Sequence, residues 1–306
     1  MGKTKEAEQH TVIEASCGGI DIAYEAAPRR HYKVRSRWVT VKLAADVHGE
    51  WVEVPSVTTV LDCLSKDGLP WWGMTTALEA VIQLYGVGGF LTPSADGKLA
   101  VWTGDQFEYA TKENLVALLT RQKLTVNHVR DKAGARGNNV HDALQWWIED
   151  GTMPDPDLFP LEEQGYVRAL IAFLHDVGEV TARKAEVMVG SVEHGFAGRY
   201  DFEGTLKSAN LITKRASPGG RNAEQRTEFK GLSLLDLKTS KGVYASHKLQ
   251  LEGYEIARLE GGLRPTKNRL VVQVSNDGTY AVTASDAEAQ DFLNVLATYN
   301  SIRRIK

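Results

Sequence analysis

The segment Ser233-Leu-Leu-Asp-Leu-Lys-Thr-Ser240 sets a carboxylate and an amine two residues apart in an apolar run. On a strand, positions i and i+2 leave the same face, so Asp236 and Lys238 point together. A charged pair on so hydrophobic a strand is costly unless it lies at an edge, is paired, or binds something. Upstream, Gly198-Arg-Tyr-Asp201 falls on the strand expected to lie alongside. Asp201 beside Asp236 would bring like charges together, and a bound divalent cation resolves that repulsion. Oxygen ligands favour Mg²⁺ or Mn²⁺ over zinc. Next to such an ion, Lys238 could orient or deprotonate an attacking water, or stabilise charge developing on a phosphate. That is the chemistry of metal-assisted phosphodiester hydrolysis.

Downstream, Gln250 and Tyr254 are four apart on an expected helix and share a face, with His247 one turn earlier. Alone, such a polar pair is usually solvated; here it follows the Asp-x-Lys strand directly.

Gly-x-x-Asp (Gly198, Asp201), Asp-x-Lys (Asp236, Lys238) and Gln-x-x-x-Tyr (Gln250, Tyr254) stand in the order found in the PD-(D/E)XK nucleases, and the chain resembles their RecB-like, phage-type exonuclease branch. His141, after Arg136-Gly-Asn-Asn-Val, looks like the histidine that this branch carries at a helix start upstream. Glu186 looks like the acidic residue that many members place before the first aspartate. Val54-Pro-Ser-Val-Thr-Thr-Val60 is similar to segments of phage nucleases and of the mitochondrial genome maintenance exonucleases. The likeness covers roughly residues 30 to 300.

The resemblance implies a restriction-endonuclease-like core and a Mg²⁺- or Mn²⁺-dependent DNA exonuclease serving phage recombination, repair or replication. Asp201 and Asp236 would bind the metal, with the Leu237 carbonyl as a further ligand. His141 would bind or orient the metal or contact the scissile phosphate, and Lys238 would position the water. Glu186 joins this catalytic group. Gln250 and Tyr254 would hold the DNA strand, with Arg136, Arg199, Lys241, Lys214 and Arg215 as further DNA contacts. Two rival readings stay open: an endonuclease for flapped or branched DNA, and a catalytically idle DNA-binding protein on the same fold. The chain departs from the family pattern in two places. Asp201 and Asp236 are 35 residues apart, stretched by a polar insertion at 207–231. Cys17 and Cys63 cannot make the cysteine cluster of some relatives, so no iron–sulfur cluster is expected.

The elements that must position these groups read as follows. Tyr32 to Leu43 and Trp51 to Val54 are strands around a turn at His48-Gly49. Val57, Val60, Leu61 and Leu64 follow a helical period, with Ser56 as cap. Helical patterns follow at about 70–85 and 112–131, with loop and short strands over 87–104. Gly134 to Gly137 reads as a break before a helix from Asn138 to Asp150, ended by Gly151. A Pro- and Asp-rich loop (Pro154 to Pro160) precedes a helix from Leu161 to Val177. Strands follow at Glu186 to Val192, Phe196 to Leu206 and Leu232 to Thr239. Then come a helix from Ala245 to Leu259, strands at Leu270 to Val274 and Tyr280 to Val282, and a closing helix from Ser285, its expected cap, to Thr298. The order gives an α/β fold: a mixed central β-sheet flanked by helices, with an N-terminal β-hairpin and helical region. The expected parts are an extension at 1–30, the hairpin and helical region at 31–135, and the nuclease core at 136–306, with 207–231 as a long hairpin tip or loop.

Composition neither demands nor forbids this. With 306 residues, 36 basic against 39 acidic side chains and 42% hydrophobic residues, the chain is an ordinary globular protein without a basic signature. Contacts to an anionic polymer must come from local clusters. One holds Arg29, Arg30, Lys33, Arg35, Arg37 and Lys42; the other holds Lys207, Lys214, Arg215, Arg221, Arg226 and Lys230. Of the pairs Trp71-Trp72 and Trp146-Trp147, each is expected to bury one ring, since adjacent helical positions diverge by about 100°. The N-terminus lacks the apolar core of a signal peptide, and no run of about 18 apolar residues could span a membrane. A cytoplasmic setting is expected, that of a bacterial host if the chain is phage-encoded. DNA is the expected substrate, with a single-strand annealing or other recombination protein as a candidate partner. The oligomeric state is left open.

Overall fold

A computed structural model describes residues 12–17, 19–25, 31–36, 52–64, 68–86, 89–216 and 223–305. In chain order, the N-terminal strands are β1 (Val12–Cys17), β2 (Ile20–Glu25), β3 (His31–Ser36) and β4 (Val52–Val54), followed by α1 (Val57–Leu61). Next come α2 (Gly68–Gly86), β5 (Leu91–Pro93), β6 (Leu99–Trp102), β7 (Phe107–Tyr109), α3 (Lys112–Arg121) and α4 (Val126–Asp150). A 3-10 turn (Pro156–Leu158) leads into α5 (Gln164–Val177), β8 (Val180–Ser191), β9 (Phe196–Lys214) and β10 (Gln225–Lys238). The chain closes with α6 (Ala245–Glu260), β11 (Asn268–Val274), β12 (Tyr280–Ala284) and α7 (Ala289–Ile305).

The fold is mixed α/β. The main sheet has five strands in the order β12-β11-β10-β9-β8, with β10 and β11 parallel and the other pairs antiparallel. Leu235 and Leu237 of β10 join the core formed with α5 and the C-terminal part of α4 (Leu144, Trp147, Leu170, Phe173). Leu234 joins a second core with α1, α6 and α7 (Val57, Leu251, Tyr254, Phe292). The alternation of one strand thus feeds two cores. Ser56 caps α1 as expected, its Oγ accepting from Thr59 N–H at 3.0 Å. Ala197 N–H donates to the Pro55 carbonyl at 3.0 Å, which ties this cap to the start of β9.

The chain divides into two compact units, Met1–Leu64 with Asn139–Lys306, and Ser65–Asn138. These differ from the boundaries expected at 30 and 135. Ile20 and Ile22 of β2 are buried with Val189 and Phe196, so the N-terminal strands belong to the core unit. In the smaller unit, α2 and α3 pack Leu84 and Leu118 against Leu91 and Val101 of a three-stranded sheet ordered β5-β6-β7.

Three local expectations change. The 112–131 pattern is two helices, because Lys123 adopts a left-handed φ of 55° that ends α3. Gly134 to Gly137 does not break α4; a helical glycine costs about 1 kcal/mol against alanine, a penalty rather than a stop. Ser285 does not cap α7, which begins at Ala289; its hydroxyl donates instead to Glu252 at 3.2 Å. The 207–231 insertion is a long hairpin, with β9 reaching Lys214 and β10 resuming at Gln225. Arg221 and, among the N-terminal basic residues, Arg29, Arg30, Arg37 and Lys42 lie outside the described residues, as does the expected strand beyond Ser36. Among the described residues, no helix is long and apolar enough to cross a membrane.

Candidate active site

β10 is the middle strand of five, but Asp236 and Lys238 lie past its last pair with β9 and are paired there with β11 alone. Asp236 is 0% exposed, buried rather than solvated as an edge pair would be. The Lys238 ammonium lies 2.7 Å from Oδ2 and forms a buried ion pair with it. Oδ1 is left without a donor. Such a carboxylate is costly to bury.

The other groups arrive from three elements. The ladder between β9 and β10 has its last pair at Leu235–Phe202. Just beyond it, Asp201 turns its carboxylate to the β10 backbone, with Oδ2 accepting from Leu237 N–H at 2.6 Å. Tyr200 belongs to the α6-side core and Phe202 to the α5-side core, although only two positions apart, so β9 turns over at Asp201. From α4, His141 sets Nδ1 3.3 Å from Asp201 Oδ1 and Nε2 3.1 Å from the Leu237 carbonyl. From β8, Glu186 reaches within 4.0 Å of the same imidazole. His141, Glu186 and Asp201 each offer one ligand atom, all within 4.8 Å of one another. Glu186 has a left-handed φ of 50°, sparsely populated for a residue with a side chain. Backbone strain of this kind collects at functional sites.

Electrostatics follow from this crowding. Burial pushes Asp236 up to about 6, against the pull of Lys238 and with the push of Asp201. Burial also works against charge on Asp201, but His141 outweighs it and holds the carboxyl below its usual value. For His141, burial opposes the charge, and Asp201 and Glu186 overcome it to raise the imidazole to about 10. Lys238 is likewise disfavoured by burial yet raised by Asp236 and Asp201. It therefore stands as an ammonium rather than a base.

The carboxylate oxygens and the backbone carbonyl suit Mg²⁺ or Mn²⁺, whereas an imidazole suits softer metals. The buried Oδ1 of Asp236, which lacks a donor, has the chemistry for such an ion. Asp201, Glu186 and the Leu237 carbonyl are positioned to hold an ion. Asp236 lies outside the group whose ligand atoms fall within 4.8 Å of one another. His141, held protonated by Asp201 and Glu186, would have to release its proton to join them. No protein-family model and no curated protein matches this chain. Its chemistry is read from its own residues.

Two of the sequence motifs meet in the interior. Gln250 donates to the Tyr254 hydroxyl at 2.7 Å, and Tyr254 is 3% exposed. A Cβ on Gly198 would come within 2.6 Å of the Tyr254 ring, so the glycine of Gly-x-x-Asp makes room for the tyrosine of Gln-x-x-x-Tyr. Among the basic residues, Arg199 pairs with Glu186 at 2.6 Å. Arg215 bonds Ser275 at 2.6 Å and Gln273 at 3.0 Å. Lys214 and Lys241 are exposed. Arg136 falls in the Ser65–Asn138 unit.

Sequence reasoning missed two supporting groups. Gln273, paired with Lys238 in the β10–β11 register, donates to the Ser240 carbonyl at 2.7 Å and fixes the chain just after the lysine. Behind β9, fully buried Arg258 bonds Glu203 at 2.8 Å and Glu255 at 2.6 Å, and Tyr200 donates to Glu203 at 3.0 Å. Charged residues on an amphipathic helix and a half-polar strand give no signal that they will meet.

Proposed function

We propose that this chain is a metal-dependent deoxyribonuclease of the PD-(D/E)XK type, hydrolysing phosphodiester bonds from DNA ends with Mg²⁺ or Mn²⁺. The observation that carries this reading is Asp236: a buried carboxylate with Oδ1 lacking a donor, paired with Lys238 and close to the Asp201 cluster. A scaffold would gain stability by losing that charge; an enzyme keeps it to bind something. The idle-scaffold reading is weaker for this reason.

In this reading Asp201 and Glu186 present oxygens to the cation, and Asp236 completes the acidic wall. The bound cation supplies Lewis-acid stabilisation of the phosphate and a more acidic water. Lys238, held protonated by the two aspartates, places positive charge beside the reacting phosphate and orients the attacking water. His141 braces Asp201 and the Leu237 carbonyl, which fixes the end of β10. Gln250 and Tyr254 support the floor of the site, while exposed Lys214 and Lys241 are available to the phosphate backbone.

The exonuclease reading, a phage setting and a recombination partner rest on the resemblance of the motifs. A time course on end-labelled linear and closed circular DNA with Mg²⁺ tests the activity. Loss of label from linear DNA, with circles intact, is expected. Cutting of closed circles would replace the exonuclease reading with an endonuclease one. Hydrolysis persisting in a rigorously purified Lys238→Ala protein would remove the assignment altogether.

A further inference from the structure

The helix α2 carries an apolar stripe that the hydrolytic site does not use. Trp71, Met74, Leu78, Ile82 and Tyr85 are 67%, 47%, 54%, 70% and 53% exposed. At about 100° per residue the five fall within an arc of about 80°. The opposite face, with Thr76, Ala80 and Leu84, is the buried one. Glu79 is the only acidic or basic side chain in the 19 residues of this helix. Isolated exposed hydrophobic residues need no explanation, but a continuous stripe marks an interaction surface.

We propose that the stripe is a two-fold interface at which α2 packs antiparallel against α2 of a second copy of this chain. The spacing is the reason to choose a second copy. Met74 and Ile82 each lie four residues from Leu78, and Trp71 and Tyr85 each lie seven. A two-fold axis through Leu78 therefore matches every stripe residue with another. Leu78 meets Leu78 of the second copy, Met74 meets Ile82, and Trp71 meets Tyr85. A closed two-fold contact requires such self-complementarity. The end pairs are aromatic, with geometry that gains beyond area alone. With so little charge on the helix, there is no electrostatic pattern to select a different protein.

The area suffices. The exposed parts of the five side chains amount to about 600 Å² per copy, taking aromatic residues at roughly 150–250 Å² each. Two copies would remove about 1,200 Å² from water, the lower end of specific interfaces. Glu79 lies on the rim, where the two carboxylates flank the axis and weaken the contact. The inference is independent of the hydrolytic reading.

Sedimentation velocity on the full chain over a concentration series tests it. The wild type is expected to dimerise. Leu78→Asp, at a half-exposed position that the fold does not need, is expected to raise the dimer dissociation constant about 30-fold or more. Glu79→Gln is expected to lower it. Trp71→Cys and Tyr85→Cys proteins, mixed and oxidised, are expected to cross-link to each other, with wild-type protein as the control for Cys17 and Cys63. Cross-linking of either variant alone would mean parallel pairing and overturn the geometry. A wild type monomeric at all concentrations, or a dimer unmoved by Leu78→Asp, would overturn the proposal. If the protein is monomeric and Trp71→Ala loses single-stranded DNA binding, the stripe stacks on bases instead.

Discussion

Replacing Asp236 by Asn keeps the side-chain shape and removes the charge. The wild-type carboxylate is fully buried and attracted by the Lys238 ammonium at 2.7 Å and, more weakly, by His141. Burial raises its pKa from 3.8 to about 6. At about 1.4 kcal/mol per unit, that shift is a penalty of about 3 kcal/mol on the native state once the acid is ionised. The folded value lies above the unfolded one, so the group's contribution is complete below pH 3.8 and is lost as pH rises through about 6. Asn removes this loss but takes the nearest counter-charge from Lys238. The lost attraction is already contained in that shift; the added cost is the buried Asn amide, whose N–H groups face the Lys238 ammonium, about 1–2 kcal/mol.

With metal chelated, Asp236→Asn is therefore expected to be more stable than wild type by about 1–2 kcal/mol above pH ~7. The difference should vanish and reverse toward pH ~4, where wild-type Asp236 is protonated and the amide cost alone remains. Saturating Mg²⁺ should reverse the order. An ion at about 100 times its dissociation constant stabilises the wild type by roughly 2.7 kcal/mol, and the variant has lost a negative charge beside it. Urea unfolding at the two pH values, with chelator and with Mg²⁺, gives all the numbers needed. A variant less stable than wild type in chelator at both pH values would refute the reasoning. So would a wild type indifferent to Mg²⁺.

Gly198→Ala should destabilise by about 1–3 kcal/mol in urea unfolding, because the new Cβ meets the buried Tyr254 ring at 2.6 Å; an unchanged midpoint would mean the ring is free to move. Arg258→Met should cost about 3–5 kcal/mol by leaving Glu203 and Glu255 buried without their shared guanidinium, checked by chemical denaturation. Gln273→Ala removes the bond that holds the Ser240 carbonyl and one of the bonds to Arg215, which keeps Ser275. In single-turnover hydrolysis it should lower the rate about tenfold with little change in DNA affinity, since a lost hydrogen bond of ~1.4 kcal/mol acts on the placement of Lys238. An equal loss in affinity would assign Gln273 to binding instead.

The five-stranded sheet was legible because each of its strands carries its own signal. Leu234, Leu235 and Leu237 announce a strand buried on both faces, and the Asp-x-Lys charges stand out against them. β1 and β2 carried a signal too, since Ile20, Ile22 and Tyr24 alternate with Asp21 and Ala23 in the strand that pairs with β1. Their membership of the core unit was not legible, because burial of Ile20 and Ile22 against Val189 and Phe196 depends on contacts far apart in sequence. The glycines of α4 misled for a related reason. Local propensity charges them about 1 kcal/mol each, while Val140, Leu144 and Trp147 on the same helix anchor it in the core.

The same distinction explains how much of the site could be read in advance. Asp201, Asp236 and Lys238 were singled out by residue type and His141 by the motif resemblance, and both are local information. What type cannot convey is that Asp236 would be fully buried with Oδ1 lacking a donor, or that Glu186 would take a left-handed φ of 50°. Both features oppose stability: Asp236 lies where β10 parts from β9 beyond the Leu235–Phe202 pair, and Glu186 lies on β8 level with Asp201, between the pairs Ala185–Phe202 and Val187–Tyr200. A fold selected for stability alone would close that gap with a ladder and a leucine. Here the strands diverge, and the freed Leu237 N–H and carbonyl are taken by Asp201 and His141. The parting of the strands converts two backbone groups from sheet partners into braces for the acidic cluster. That is why destabilising features and candidate chemistry coincide around one strand end.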